Sequence, residues 1–367
     1  MRRARNLATN TLQSNLIAVK LLYMWSQINS INIERRFLLG DYLNAQEISS
    51  LSDAARRPLK LLTQKLSAQH DNVMRFSTVV DSATTAGRML AIADYLSWLG
   101  QEALARHPLD SKSEIGRRLD EFIRNVRIRA PKVGSRNVVG KREAPPQEVI
   151  ETMLNSVMPG SRQNPWRDTG LQLRNQLLVH LYFGLGIRRA EALGIKTSHL
   201  DFRQGKILIA RAADDPIDPR KHQPLAKTRD RWLPMGGELS EMIRNYVMHI
   251  RAKFTGARRH PFLLISHADG SPLKLTTVNK VFSELRSRVD GLPEDLSPHC
   301  LRHAWNDAFS KFVDRTGVPQ DREAQLRSEL MGWSPTSGTA ATYNRRHARE
   351  AAKELSLRMQ KAMLEND

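Results

Sequence analysis

The chain has 367 residues, which is too long for one ordinary domain. Its composition, 40% apolar and 26% charged, excludes a disordered protein. Lysine and arginine total 57 against 38 acidic residues, giving a formal charge of +19 and a pI of about 10.4. Such a positive excess favours a polyanionic partner, with nucleic acid as the first candidate and an anionic membrane surface as the second.

The first third of the chain shows the apolar spacing that is typical of amphipathic helices. Residues 11–25 place apolar side chains at helical intervals, and a similar sequence pattern recurs at 84–98. Residues 44–67 and 114–127 carry further helical patterns, the second of them strongly basic. We therefore predict a small helical domain over residues 1–128 with a cationic surface.

Residues 129–146 hold proline, glycine and charged residues without apolar periodicity, which predicts a basic linker. After it the pattern changes. Residues 171–184 form a strongly apolar helical stretch, and short alternating segments at 207–209 and 231–234 predict two partner strands. A long polar loop rich in proline, 211–227, separates the two strands.

Helical spacing returns in the last third of the chain, over 276–289 and from His299 to about Val313. We expect the second domain to occupy residues 147–350. A final charged helix follows, and its apolar stripe could dock on a neighbouring protomer or fold back on its own domain; we assign it to residues 351–367. The stripe consists of Ala351, Leu355, Leu357, Met359 and Met363.

Cys300 is the only cysteine, which excludes a disulfide framework and a cysteine-rich zinc site and fits a reducing compartment. Beside His299 it could form a nucleophile pair. Neighbouring residues on a helix point about 100° apart, however, and a small buried apolar role is favoured. No stretch reaches the roughly 20 apolar residues of a membrane span, so we expect a cytoplasmic, nucleoid-associated protein.

A candidate phosphate site starts at His299 and Arg302, whose spacing places both side chains on one helix face. Breaking a phosphodiester without a metal requires several donors to the nonbridging oxygens, because negative charge develops there. Arginines suit this task, since each guanidinium is permanently charged and directs two N–H groups at two oxygens. Arg302 is one such residue, and Arg188, which follows a glycine-rich break, is the natural second.

The remaining groups would move protons and attack phosphorus. Lys227 can protonate a leaving oxygen, although Lys221 in the same loop and Lys206 near the preceding strand are alternatives. His299 can donate to the phosphate or assist proton transfer. Tyr343, at the end of a segment rich in glycine, serine and threonine, can attack and form a covalent phosphotyrosine.

A metal site is the competing interpretation of the histidines, because His299 and His303 stand four residues apart. No glutamate or third ligand has a fitting spacing, so we predict neither a metal nor a cofactor.

The order of these residues resembles the tyrosine recombinases, the phage integrase family. The resemblance covers about residues 145–350. It lies in Gly186-Ile187-Arg188-Arg189-Ala190-Glu191-Ala192-Leu193, in Lys227-Thr228 with Arg231-Trp232-Leu233-Pro234, in His299-Cys300-Leu301-Arg302-His303, and in Met331-Gly332-Trp333 ahead of Tyr343.

The resemblance implies a mainly α fold with a small antiparallel β-sheet, in which a helical core DNA-binding domain and a mixed α/β catalytic domain form a C-shaped clamp on duplex DNA. It adds Trp333, where the family usually has histidine, to the catalytic set of Arg188, Lys227, His299, Arg302 and Tyr343. The spacing from Trp333 to Tyr343 is one residue longer than the family's usual spacing, and that from Arg302 to Trp333 is also long.

The function implied by the resemblance is site-specific recombination or integration through a 3′-phosphotyrosyl intermediate, without metal or ATP. The partners implied are double-stranded DNA, a homo-tetramer on two DNA sites, and accessory DNA-bending or directionality proteins, with no membrane. Two alternatives stay open: relaxation of DNA as by a type IB topoisomerase, and a catalytically silent DNA-binding protein of the same fold.

Overall fold

The computed structural model describes residues 9–67, 79–132, 144–212, 214–334 and 355–359. The chain divides into two compact units, Met1–Val139 and Gly140–Asp367. The described part of the first unit is helical, and the second unit adds a three-stranded antiparallel sheet to its helices. The predicted fold class, mainly α with a small antiparallel sheet, is therefore confirmed. The finer division into a linker at 129–146 and a terminal helix at 351–367 stays a prediction.

The described part of the first unit is built from six helices around one apolar core. Asn44 and Glu47 form a capping box at the start of the helix Ala45–Ala55, and the Asp81 side chain accepts from the Thr84 N–H at the start of the helix Ser82–Leu104. The helices are α1 (Thr9–Ile28), α2 (Ile33–Leu38), α3 (Ala45–Ala55), α4 (Leu59–Ser67), α5 (Ser82–Leu104) and α6 (Leu109–Ile128). The two longest predicted patterns, 11–25 and 84–98, thus lie inside α1 and α5.

Helices α5 and α6 approach each other closely at Gly100. A Cβ atom built on Gly100 would lie 2.3 Å from Leu119 Cδ1, so only glycine fits this position unless the Leu119 side chain moves. Leu119 itself is buried in the core.

The second unit surrounds α8 (Thr169–Leu185), whose residues from Arg174 to Leu185 are mostly buried and contribute leucines, Val179 and Tyr182 to the apolar core. Three helices contact α8: α9 (Arg189–Gly194), α10 (Gly237–Asn245) and α12 (Pro298–Thr316). The elements are α7 (Gln147–Ser156), α8 (Thr169–Leu185), α9 (Arg189–Gly194), β1 (Leu200–Asp201), β2 (Lys206–Ile209), β3 (Arg231–Pro234), α10 (Gly237–Asn245), α11 (Leu275–Arg288), α12 (Pro298–Thr316) and α13 (Gln320–Met331). A π-helical turn (Tyr246–Ile250) and short 3-10 turns complete it.

The sheet has the order β1-β2-β3 and both pairings are antiparallel. Strands β2 and β3 are the predicted pair, and Ile207 faces Leu233 across them with both side chains in the core. The two-residue strand β1 was not predicted. The segment at 262–265 makes only isolated bridges.

Residues 355–359 are helical, and Leu355, Leu357 and Met359 of the predicted apolar stripe are exposed. Ala351 and Met363 lie outside the described residues. None of the helices in the described part of the chain combines the length and hydropathy that crossing a lipid bilayer requires.

Candidate active site

The junction between α8 and α9 places the first predicted arginine. Helix α8 ends at Leu185 and is capped by Gly186, which adopts a left-handed backbone with φ of 60°. A side chain there would be strained and would meet the Trp305 ring at 2.9 Å. Arg188 follows as the N-cap residue of α9, and its side chain keeps 31% exposure.

Glu191, three residues into this turn, is the centre of the polar cluster. Its carboxylate is 1% exposed and accepts from the Arg188 backbone N–H at 3.0 Å and from Arg188 Nη1 at 3.3 Å. It also accepts from Thr228 Oγ1 at 2.5 Å and from Arg231 Nη2 at 3.0 Å. Arg302 Nη1 lies 4.0 Å from the same carboxylate.

The carboxyl of Glu191 is held in its ionised form. Burial alone raises the pKa of this group. The positive charges of Arg231 and Arg302, together with the hydrogen bonds from Thr228 and the Arg188 backbone, outweigh burial, so the pKa of Glu191 lies below its ordinary value of 4.5. Sequence reasoning included Glu191 in the family motif without assigning it a role. Its place three residues after the N-cap was the available signal.

Arg302 lies on α12, which starts with Pro298 in its first turn. Its side chain is 2% exposed, and Nη1 donates to the Gly186 carbonyl at 2.6 Å. The guanidinium lies 5.5 Å from the ring centroid of Trp333, which is also buried. The structure therefore brings Arg188, Arg302 and Trp333 into one cluster, and their catalytic roles stay predictions.

The residues at the end of α13 and just after it, which include Trp333, contact the segment at the start of β3. The Arg229 N–H donates to the Gly332 carbonyl at 3.0 Å, and the Arg229 guanidinium donates to the Trp333 carbonyl at 2.9 Å. Arg231 Nε donates to the Leu330 carbonyl at 2.6 Å. Sequence analysis gave Arg231 no role, because the partner carbonyl and carboxylate lie far away along the chain.

Lys227 is exposed, and its neighbour Thr228 is buried. Thr228 bonds to Glu191 and accepts from Arg231 Nη1 at 3.1 Å, so the backbone next to Lys227 is tied to the arginine cluster. The side chain of Lys227 projects from this fixed point.

His299 is exposed in the first turn of α12, and its ring centroid lies 4.4 Å from that of His303. Within the described residues, no group of three His, Cys, Asp or Glu side chains is placed to hold a metal ion. Cys300 is buried and its Sγ donates to the Asp295 carbonyl at 3.4 Å, as expected for a packed side chain. Tyr343 lies outside the described residues.

The guanidinium groups of Arg188 and Arg302 can together bind an anion that has several oxygen atoms. Arg302 lies at the floor of the cluster and Arg188 at its partly exposed rim, and one buried carboxylate orients both. Guanidinium groups that are fixed in advance stabilise developing negative charge without reorganisation.

The model of the Phage integrase family matches residues 150–350. Tyrosine recombinase XerC of Anoxybacillus flavithermus is 27% identical over 175 residues, 47% of this chain and 50% of the relative. Tyrosine recombinase XerD of Corynebacterium glutamicum is 28% identical over 173 residues, 47% and 48% of the two chains. The chain thus spans about half the length of these curated relatives.

Among solved structures, the chain is similar to the XerH site-specific recombinase bound to a palindromic difH substrate in a post-cleavage complex. The identity is 15%, the match covers 94% of this chain and 97% of that one, and the TM-score is 0.44.

Proposed function

The chain belongs to the phage integrase family, and from that premise we propose that it cuts and rejoins duplex DNA as a site-specific recombinase or integrase. The observation that carries the proposal is the convergence of Arg188 and Arg302 on the buried carboxylate of Glu191. Matching relatives that are named tyrosine recombinases support it.

In the proposed reaction the Tyr343 hydroxyl gives up its proton, to His299 or to solvent, and its oxygen attacks the scissile phosphorus. The bond from phosphorus to the 5′-oxygen breaks as the bond to the tyrosine oxygen forms, which leaves a 3′-phosphotyrosyl linkage. Arg188 and Arg302 neutralise the nonbridging oxygens, and Lys227 gives a proton to the leaving 5′-oxygen. The linkage conserves the phosphodiester bond energy, so rejoining needs no ATP.

Two further groups complete the proposed set. His299 donates to the phosphate or assists proton transfer from the exposed first turn of α12. Trp333 packs beside the Arg302 guanidinium, where its indole supplies a bulky wall and an N–H donor.

The proposal includes the assembly that strand exchange requires. Two DNA sites would each hold two copies of the chain in a homo-tetramer, with accessory DNA-bending or directionality proteins setting the outcome. Action on DNA would place the protein in the cytoplasm at the nucleoid. The unit Met1–Val139, with its surplus of arginine and lysine, would add a second DNA contact.

The test is covalent trapping on DNA that flanks the protein's own gene, supplied as duplexes nicked close to each candidate cleavage point so that the cut fragment diffuses away. Wild-type protein should form a denaturation-resistant adduct. Tyr343→Phe should lose the adduct and keep its DNA affinity within about twofold, because only the attacking oxygen is removed.

Tyr182→Phe is the matched control. The Tyr182 hydroxyl is buried in α8 and makes no hydrogen bond to the described part of the chain, so its removal should leave the adduct intact. Relaxation of plasmids that lack the flanking DNA would favour the topoisomerase alternative. Specific binding by wild-type protein without any adduct would favour the silent DNA-binding protein.

A further inference from the structure

The connection between β2 and β3, residues 210–230, is far longer than a hairpin needs. Ile209 pairs with Arg231 across the two strands, and hairpins are usually closed by roughly two to five residues. Loops longer than about 12–15 residues without secondary structure are uncommon in compact domains and are usually functional. Lys227 stands near the end of this connection.

Arg220 anchors the connection to the body of the second unit. Its guanidinium is buried and forms a two-pronged contact with Asp218, from Nε at 2.8 Å and from Nη2 at 2.7 Å. The other terminal nitrogen donates to the Leu193 carbonyl at 3.1 Å and to the Leu273 carbonyl at 2.8 Å. The guanidinium carbon also lies 4.5 Å from the ring centroid of Phe262. One side chain thus joins the connection to the end of α9 and to the segment before α11.

A second set of contacts stiffens the same stretch. Asp215 forms an ion pair with Lys196 at 2.7 Å, and its backbone N–H donates to Gln223 Oε1 at 2.8 Å. The Gln223 amide donates in return to the carbonyls of Asp215 and Asp218, at 2.9 and 3.1 Å. The stretch therefore folds on itself as well as on its neighbours.

Closing a hairpin requires none of these buried charges. Burying an arginine and two carboxylates costs free energy that their contacts must offset, so such a cluster is expected where position matters. Beyond Arg220 the chain stays buried at Pro224 and Ala226 and reaches a second anchor at Thr228, bonded to Glu191. Lys227 lies between the two anchors.

We propose that Arg220 is a positioning residue for strand cleavage. Together with Asp218 it fixes the connection so that Lys227 is presented to the leaving 5′-oxygen while the lysine side chain alone stays adjustable. The inference rests on the proposed function, because it assigns Arg220 a part in the proton transfer of that reaction.

This role has a chemical signature that a general loss of structure lacks. A sulfur in place of the bridging 5′-oxygen leaves as a thiolate, and thiols have pKa values of about 8.5, far below those of alcohols. A sulfur leaving group therefore needs no proton. If Arg220 acts through Lys227, its loss should slow cleavage of the oxygen substrate and spare the sulfur substrate.

The experiment measures single-turnover cleavage of the nicked duplex that traps wild-type protein, made with 5′-bridging oxygen or 5′-bridging sulfur. Arg220→Ala should cleave the oxygen substrate about 100-fold more slowly and the sulfur substrate within about threefold of wild type, since general acids contribute roughly 10²–10⁴ in rate. Lys227→Ala should show the same rescue by sulfur. Arg220→Lys should still cleave the oxygen substrate slowly, because one ammonium group cannot make the several directed contacts of the guanidinium.

Arg211→Ala is the matched control, since it removes an exposed arginine from the same connection. It should leave the ratio of the two rates unchanged. Equal losses on both substrates for Arg220→Ala, or no loss on either, would overturn the inference. So would Lys227→Ala without rescue by sulfur.

A second variant covers the case in which Arg220→Ala does not fold, as judged by its thermal melt. Gln223→Ala keeps the ion pair and removes the amide contacts to Asp215 and Asp218, and it should show a smaller loss that sulfur again restores. An equal loss on both substrates there would also overturn the inference. Absence of any wild-type adduct would instead refute the proposed function, so the two failures are distinguishable.

Discussion

At Glu191 a carboxylate with 1% exposure accepts hydrogen bonds from Thr228 and Arg231 and lies 4.0 Å from Arg302. The guanidinium groups of Arg231 and Arg302, themselves almost fully buried, lie within 4.0 Å of this negative charge. Removing it would leave positive charge in a place that water does not reach, which is among the costliest changes a folded protein can undergo.

Glu191→Gln should therefore lower the free energy of unfolding by about 3 kcal/mol at pH 7, measured by urea denaturation. The matched control is Glu329→Gln, because Glu329 also pairs with an arginine, Arg229, but is 75% exposed. That change should cost less than about 1 kcal/mol. Equal effects of the two substitutions would contradict the role assigned to Glu191.

The same residue predicts a pH dependence. The pKa of Glu191 in the folded chain lies below its ordinary value of 4.5, so its stabilisation is complete above pH 4.5 and is lost as the pH falls through the folded-state pKa. The difference in unfolding free energy between wild type and Glu191→Gln should shrink below pH 4.5. A difference that stays constant from pH 7 to pH 3 would contradict this assignment.

Residue chemistry made part of the candidate site predictable from sequence. Arg188 and Arg302 could be predicted as phosphate-binding residues, because paired guanidinium groups suit the nonbridging oxygens of a phosphate. The roles of Glu191 and Arg231 could not be predicted, because a glutamate at the third position of a helix is a common cap and an arginine on a strand is commonly solvated. Only long-range packing buries them together.

At the scale of elements, α5 contains two glycines in opposite surroundings. A Cβ on Gly87 would meet nothing within 4 Å, whereas one on Gly100 would meet two methyl carbons of Leu119 at 2.3 and 2.8 Å. Leu119 is 1% exposed and has little room to retreat.

Gly87→Ala should raise the free energy of unfolding by about 0.5–1 kcal/mol, because alanine favours the helix. Gly100→Ala should lower it by about 1–2 kcal/mol. The cost of moving Leu119 to make room for the methyl group exceeds the stabilisation that alanine gives to the helix. Thermal melts of both variants provide the measurement. A stabilised Gly100→Ala chain would show that α6 moves aside at little cost.

Periodicity explains which elements the sequence revealed. Helix α11 was predicted within one residue at each end, and β2 and β3 were predicted as partners, because apolar residues repeat along them at the period of the element. Strand β1 has two residues and no period to detect. Residues 211–227 looked like an open polar loop, because the contacts that join Arg220 to the rest of the unit are to backbone carbonyls elsewhere in the chain.

At the scale of the whole molecule, the exposed apolar residues of 355–359 predict a dependence of assembly on the C-terminal segment. Truncation after Arg349 removes Leu355, Leu357 and Met359, each 53–69% exposed. Burying even one such side chain in a partner is worth about 1.5–3 kcal/mol, so cooperative assembly on paired DNA sites should weaken at least about tenfold in gel-shift titrations. Binding to a single half-site serves as the control and should not change. Unchanged cooperativity would mean that the helix folds back on its own domain.

The hydrogen bond from Arg302 to the Gly186 carbonyl spans 116 residues of sequence. Contacts of such separation form late, because the loop between them must close before they contribute. During synthesis, the segment that carries Arg188 and Glu191 leaves the ribosome well before α12, α13 and Trp333. The cluster can therefore assemble only after nearly the whole second unit has been made. A nascent or partly degraded chain that ends before α12 would therefore lack the paired arginines on which the proposed cleavage depends.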